Sequence, residues 1–118
     1  MEHFQDVLRK DPYELIEWLS ENFSISLPSK LETIEDMDNA ANLLLTLTGY
    51  HSYLCELLSY SKIAVREAKR NLSKAEWEDY VDKQNVIDRK LDIVKQQYTA
   101  ISRAVTIRTE NNKELFMK

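Results

Sequence analysis

Two side chains able to do thiol or metal chemistry stand one helical turn apart, His51 and Cys55. At i and i+4 they can share a helix face, the spacing of a pair of zinc ligands. A zinc site takes about four ligands, and the chain offers only His3 as a further histidine and no second cysteine. The pair therefore reads as a packed imidazole beside a buried thiol. A nucleophilic Cys–His arrangement would need a third, orienting group, and none is marked. Carboxylates give another candidate. All-α nucleotide pyrophosphohydrolases hold magnesium with Glu-x-x-Glu and Glu-x-x-Asp pairs on neighbouring helices. Glu32-x-x-Glu35, followed by Asp36, and Glu76-x-x-Asp79 have those spacings. Gly49 is the only glycine, so a glycine-rich phosphate loop is excluded. No metal ion or cofactor is expected.

The most specific polar pattern is basic. Lys62, Arg66, Lys69 and Arg70 fall at i, i+4, i+7 and i+8 and share one helix face. Tyr60 stands at the start of this row, and Lys95, Arg103 and Arg108 follow downstream. Such cations neutralise phosphates, and tyrosines beside them can stack on bases. The expected nucleic-acid contacts are Lys62, Arg66, Lys69, Arg70, Arg103 and Arg108. A plainer reading competes with this one, because helix surfaces are ordinarily charged. Glu76, Glu78, Asp79 and Asp82 lie across a turn from the row, and Arg108 falls opposite Glu35 and Asp36. Pairing there would neutralise the patch. The charge is unevenly spread. Residues 1–60 carry 3 Lys/Arg against 11 Asp/Glu, whereas residues 61–118 carry 13 against 9.

The elements that must position these groups are helical. The chain has 118 residues, 43% hydrophobic and 31% charged, with one Gly and two Pro. A many-stranded fold would need more turn formers, so the expectation is one all-α domain. Glu2–Lys10 can form a short helix with Phe4, Val7 and Leu8 on one side. Asp11-Pro12-Tyr13-Glu14 is a helix start, with Asp11 as cap and Pro12 in the first turn. The helix that follows aligns Leu15, Ile16, Leu19 and Phe23, with Trp18 beside them. Ser24–Pro28 reads as a linker.

Ser29-Lys30-Leu31-Glu32 has the form of a capping box, with Thr33 and Asp36 as an alternative start. A seam of every third or fourth residue then runs Ala40, Leu43, Leu47, Tyr50, Leu54, Leu57, Ser61, Ala64, Ala68. Ala41, Leu44, His51, Cys55, Leu58 and Val65 widen it. Asn71-Leu72-Ser73 ends this helix, and Ser73-Lys74-Ala75-Glu76 caps the next. Its seam runs Tyr80, Gln84, Ile87, Leu91, Val94, Tyr98, Ile101, Val105, Arg108, Asn112, Leu115, and Lys113–Lys118 are expected to fray.

The expected architecture is a long antiparallel hairpin, about 30–71 and 74–113, with one or two short N-terminal helices and a linker within 1–28. A turn near residue 72 makes the numbers of facing residues sum to about 144. Leu43 then lies near Ile101, Tyr50 near Val94 and Leu57 near Ile87. That register separates Glu32 from Glu76 by roughly 50 Å at ~1.5 Å per residue. Magnesium ligands must lie within a few Å of one ion, so one chain cannot bring the two pairs together. Ile93, Ala100, Ala104 and Ile107 remain as an uncovered apolar stripe. They are the expected oligomer interface of a helical bundle.

Ala40-Ala41-Asn42 at the start of a long helix, Tyr60-Ser61-Lys62-Ile63, and a final helix with Ser102-Arg103 and Ile107 carry a resemblance. Over roughly residues 38–110 the chain resembles the small helical recombination mediator proteins of bacteriophages, the UvsY type. That resemblance implies an intracellular helical oligomer. It also implies binding to single-stranded DNA and help in loading a recombinase onto strands coated with single-strand-binding protein.

The leading expectation is thus a non-enzymatic, oligomeric nucleic-acid-binding accessory protein of phage recombination or replication. The alternative is a helical protein-interaction module: an adaptor, a structural subunit or an inhibitor of a host enzyme. A metal-dependent all-α nucleotide pyrophosphohydrolase stands third. The partners expected are further copies of the chain, single-stranded DNA and a recombinase or other protein. One Cys, no signal-peptide-like apolar run and no 18-residue apolar run point to a cytoplasmic protein with no membrane association.

Overall fold

The computed structural model describes residues 3–117, with side chains described up to Asn111. Four helices follow in order: α1 Phe4–Leu8, α2 Pro12–Asn22, α3 Ile34–Asn71 and α4 Lys74–Met117. No strand occurs among the described residues. Helices α3 and α4 pack against each other along most of their length, giving the expected antiparallel hairpin. The molecule measures 68 × 20 × 18 Å, with a radius of gyration of 18.7 Å. A compact globule of this length would have a radius near ~13.5 Å. The difference follows from α4, whose 44 residues make about 66 Å of helix.

The seams meet as the periodicity implies. Ala40, Leu47, Leu54, Leu57, Ser61 and Ala68 of α3 are buried against Ile87, Leu91, Val94 and Ile101 of α4. Leu47 and Tyr98 line one groove together with His51 and Val94, and Ala64 and Tyr80 line another. Those pairs sum to 144 or 145, close to the expected register. Asn112 and Leu115 as seam positions lie outside the described side chains. Helix α4 runs beyond the end expected near residue 113, to Met117, through most of the stretch expected to fray.

Side chains set the helix starts. Asp11 Oδ1 accepts from Glu14 N at 2.9 Å, with Pro12 as the first helical residue. Ser73 Oγ accepts from Glu76 N at 3.3 Å and donates to Glu76 Oε1. At α3 the second of the two possible starts is used. Thr33 Oγ1 accepts from Asp36 N, and Asp36 Oδ2 accepts from the amides of both Thr33 and Glu32. Because Asp36 collects two amides outside the helix, Ser29–Glu32 stays non-helical and α3 begins at Ile34 rather than near residue 30.

The N-terminal segment crosses the middle of the hairpin and covers one flank. Phe4 packs on Tyr53 and Tyr60 at 5.0 and 4.9 Å between centroids, and Phe23 packs on Tyr50 and Tyr53 at 5.0 and 5.4 Å. Trp18 closes the cluster against Phe23 and Tyr53. This corrects the expected face of α2. Trp18 is buried with Leu15, Leu19 and Phe23, whereas Ile16 is 49% exposed. The larger indole fills the site beside Tyr53, which turns the stripe away from Ile16.

Candidate nucleic-acid interface

The basic row occupies the last three turns of α3, next to the tip of the hairpin. Two local features hold it there. Ser61, Ala64 and Ala68 keep the inner face of α3 small, so α4 can approach closely. Lys69 and Arg70 lie in the last turn, where cations complement the partial negative charge of the helix end. Leu72 then leaves the helix in an extended conformation, and its N–H bonds Ala68 O at 3.0 Å.

Lys62, Arg66, Lys69 and Arg70 are all exposed. At ~100° per residue they emerge on the side of α3 roughly opposite Tyr60, which faces Phe4 and the N-terminal segment. Tyr60 therefore does not join the row, contrary to the sequence expectation. Ion pairs among the described residues join Arg9 to Asp6, Lys74 to Glu78 and Lys83 to Asp79, and none involves the row. The competing pairing of the row across the turn is not formed, because Glu78 pairs with Lys74 and Asp79 with Lys83. Glu76 and Asp79 line a cleft with Tyr80 and Lys83, on the side of the N-terminal segment. Lys69 instead lines a cleft with Leu72, Lys74 and Trp77.

Arg103 and Arg108 are not brought to this surface. They lie near the opposite end of the rod, about 40 Å from the middle of the row by helix rise. Arg103 is exposed, whereas Arg108 is half-buried and donates to Glu32 O at 3.5 Å. Arg108 thus meets the backbone just before α3 rather than the carboxylates of Glu35 or Asp36.

The other chemical candidates separate in the same way. His51 and Cys55 are half-buried, with the thiol sulfur 3.7 Å from the ring nitrogens. Among the described residues no group of three or more His, Cys, Asp or Glu side chains converges to hold a metal ion. Glu32, Glu35 and Asp36 stand at one end of the rod, and Glu76 and Asp79 at the other. The Asp36 carboxyl is held below its ordinary value of 3.8, chiefly by the backbone amides of Glu32 and Thr33.

Along α4, Ile93 and Ile107 are 39% and 52% exposed, Ala100 is exposed and Ala104 is half-buried. The apolar stripe is therefore open in the single chain. No helix of the described residues is long and apolar enough to cross a membrane.

Sequence reading missed two features here. One is Lys83, buried between α1 and α4 with its ammonium on Leu8 O at 2.7 Å. The other is Trp77 beside the row, whose indole Nε1 is buried without a hydrogen-bond partner. An aromatic one turn into a helix that opens beside a basic helix end was the available signal for the second. No protein-family model, curated protein or solved structure matches the chain.

Proposed function

We propose that this protein is a non-enzymatic helical oligomer that binds single-stranded nucleic acid, as an accessory factor in phage recombination or replication. The observation that carries this reading is the row Lys62, Arg66, Lys69 and Arg70: four exposed cations on one face, none held in an ion pair among the described residues. Unpaired cations at helical spacing release condensed counterions from a phosphate chain, which drives sequence-independent binding. Arg103 and Arg108, far along the rod, belong to a second contact rather than to the grip itself. The open stripe Ile93, Ala100, Ala104 and Ile107 supports assembly with further copies, which would place several rows along one strand. A recombinase is the protein partner that the resemblance to phage mediators implies.

A second reading has its own support. The exposed apolar residues of α4, with Leu45 at 72% exposure on α3, suit a protein partner as well as another copy. The chain would then be an adaptor, a structural subunit or an inhibitor. Anisotropy of a labelled single-stranded oligonucleotide at two salt concentrations, combined with light scattering, separates the readings. Salt-sensitive binding by an oligomer supports the first. A monomer with no affinity at low salt removes it and favours the second.

A further inference from the structure

We propose that the cleft at the hairpin tip, lined by Lys69, Leu72, Lys74 and Trp77, is a base-binding pocket in which one nucleobase of a bound single strand stacks on the Trp77 indole. The proposal rests on the nucleic-acid reading above and deepens it. Four observations converge on the cleft. Lys69 belongs both to the row and to the cleft lining, so a strand held by the row passes directly into it. Trp77 is half-buried, has no aromatic partner among the described residues, and leaves its Nε1 unpaired. The indole is thus held by packing alone, with part of its surface open to the cleft. Lys69 and Lys74 flank it, ready for the adjoining phosphates. Lys74 meets Glu78 only at 4.0 Å, with both side chains exposed, and such a pair yields easily to a phosphate.

Size and charge limit the occupant. The cleft holds ≈ 240 Å³, below the ~300–1,000 Å³ of sites for drug-sized ligands. It suits a single base rather than a whole cofactor. Glu78 reaches the rim only through Lys74, at 4.0 Å, and Glu76 and Asp79 line a different cleft, so Lys69 carries the unpaired positive charge of the rim. Stacking on an aromatic ring is tolerant of base identity, as a sequence-independent binder requires. The half-exposed Leu72 adds an apolar wall.

The chain has two tryptophans, and Trp18→Phe leaves Trp77 as the only one. Trp18 is buried against Phe23 and Tyr53, so phenylalanine keeps an aromatic ring in that cluster. This variant is titrated at low salt with labelled oligothymidylate, reading label anisotropy and tryptophan emission together. Quenching of Trp77 that follows the anisotropy isotherm is expected. Trp77→Ala in the natural chain is expected to weaken binding about tenfold, with circular dichroism reporting whether it folds. If that variant is unfolded, the Trp18→Phe titration decides alone. Binding by anisotropy with unchanged Trp77 emission overturns the pocket and leaves the row standing. A concentration-dependent emission change without oligonucleotide also overturns it, because a second copy then covers the tip. Absence of any binding overturns the functional reading and the pocket together.

Discussion

Lys83 is 4% exposed, yet its ammonium has three partners on α1 and α4. Its ammonium donates to Leu8 O at 2.7 Å, pairs with Asp79 at 2.9 Å and lies 4.7 Å from the centre of the Tyr80 ring. The last carbonyls of a helix have no partner within it, and α1 has no basic residue in its last turn. A lysine 75 positions away supplies the donor. Replacing Lys83 with Met keeps the apolar stem but strands a buried carbonyl. That change should cost about 1–3 kcal/mol in urea unfolding. The Asp79 contact adds little, because that carboxylate is partly exposed. Stability equal to the natural chain would mean that Leu8 O finds another partner. Periodicity could not have found this lysine. It sits one position off the α4 seam, and what buries it is a segment remote in sequence.

Helix boundaries were legible wherever one polar group had one task. Asp11 and Ser73 cap as their spacing implies. The start of α3 was ambiguous because Ser29-x-x-Glu32 and Thr33-x-x-Asp36 both have capping form, and the choice depends on which carboxylate collects more amides. Asp36 accepts two. Those donors lower its pKa from the ordinary 3.8, so the charged carboxylate contributes stability above pH 3.8. That contribution fades as pH falls through the lowered value. Asp36→Ala should therefore lower Tm at pH 7, with loss of helix signal at the start of α3. The gap from the natural chain should close below pH 3.8, and a gap that is independent of pH would contradict this. Which flank the N-terminal segment covers was also hidden. Leu44, Cys55 and Leu58 read as well in sequence as the flank that is used. Tyr50, Tyr53 and Tyr60 decided it, since stacked and edge-on rings add specific contact beyond the area they bury.

Over the whole rod, both ends carry mixed charge. Glu32, Glu35, Asp36 and Asp38 stand with Arg103 and Arg108 at the open end, and Lys62, Arg66, Lys69, Arg70 and Lys74 stand with Glu67, Glu76, Glu78 and Asp79 at the tip. The all-α hairpin and its register were legible because long, glycine-poor seams leave few alternatives. Whether the row was free was not legible, because that depends on which side of α4 the acids emerge. The stripe at Ile93 and Ile107 has the character of a surface that self-association would cover. Ile93→Glu with Ile107→Glu should shift the light-scattering mass to that of one chain, with Tm changed by no more than a few degrees. A natural chain already monomeric at high concentration would contradict that role for the stripe.

The slope of log affinity against log salt for a single-stranded oligonucleotide bears most directly on the row itself. Four phosphate contacts predict a slope of about −3. Reversing Lys62, Arg66, Lys69 and Arg70 to Glu together should abolish binding. An undiminished slope and affinity in that variant, or no binding by the natural chain at low salt, would contradict the account.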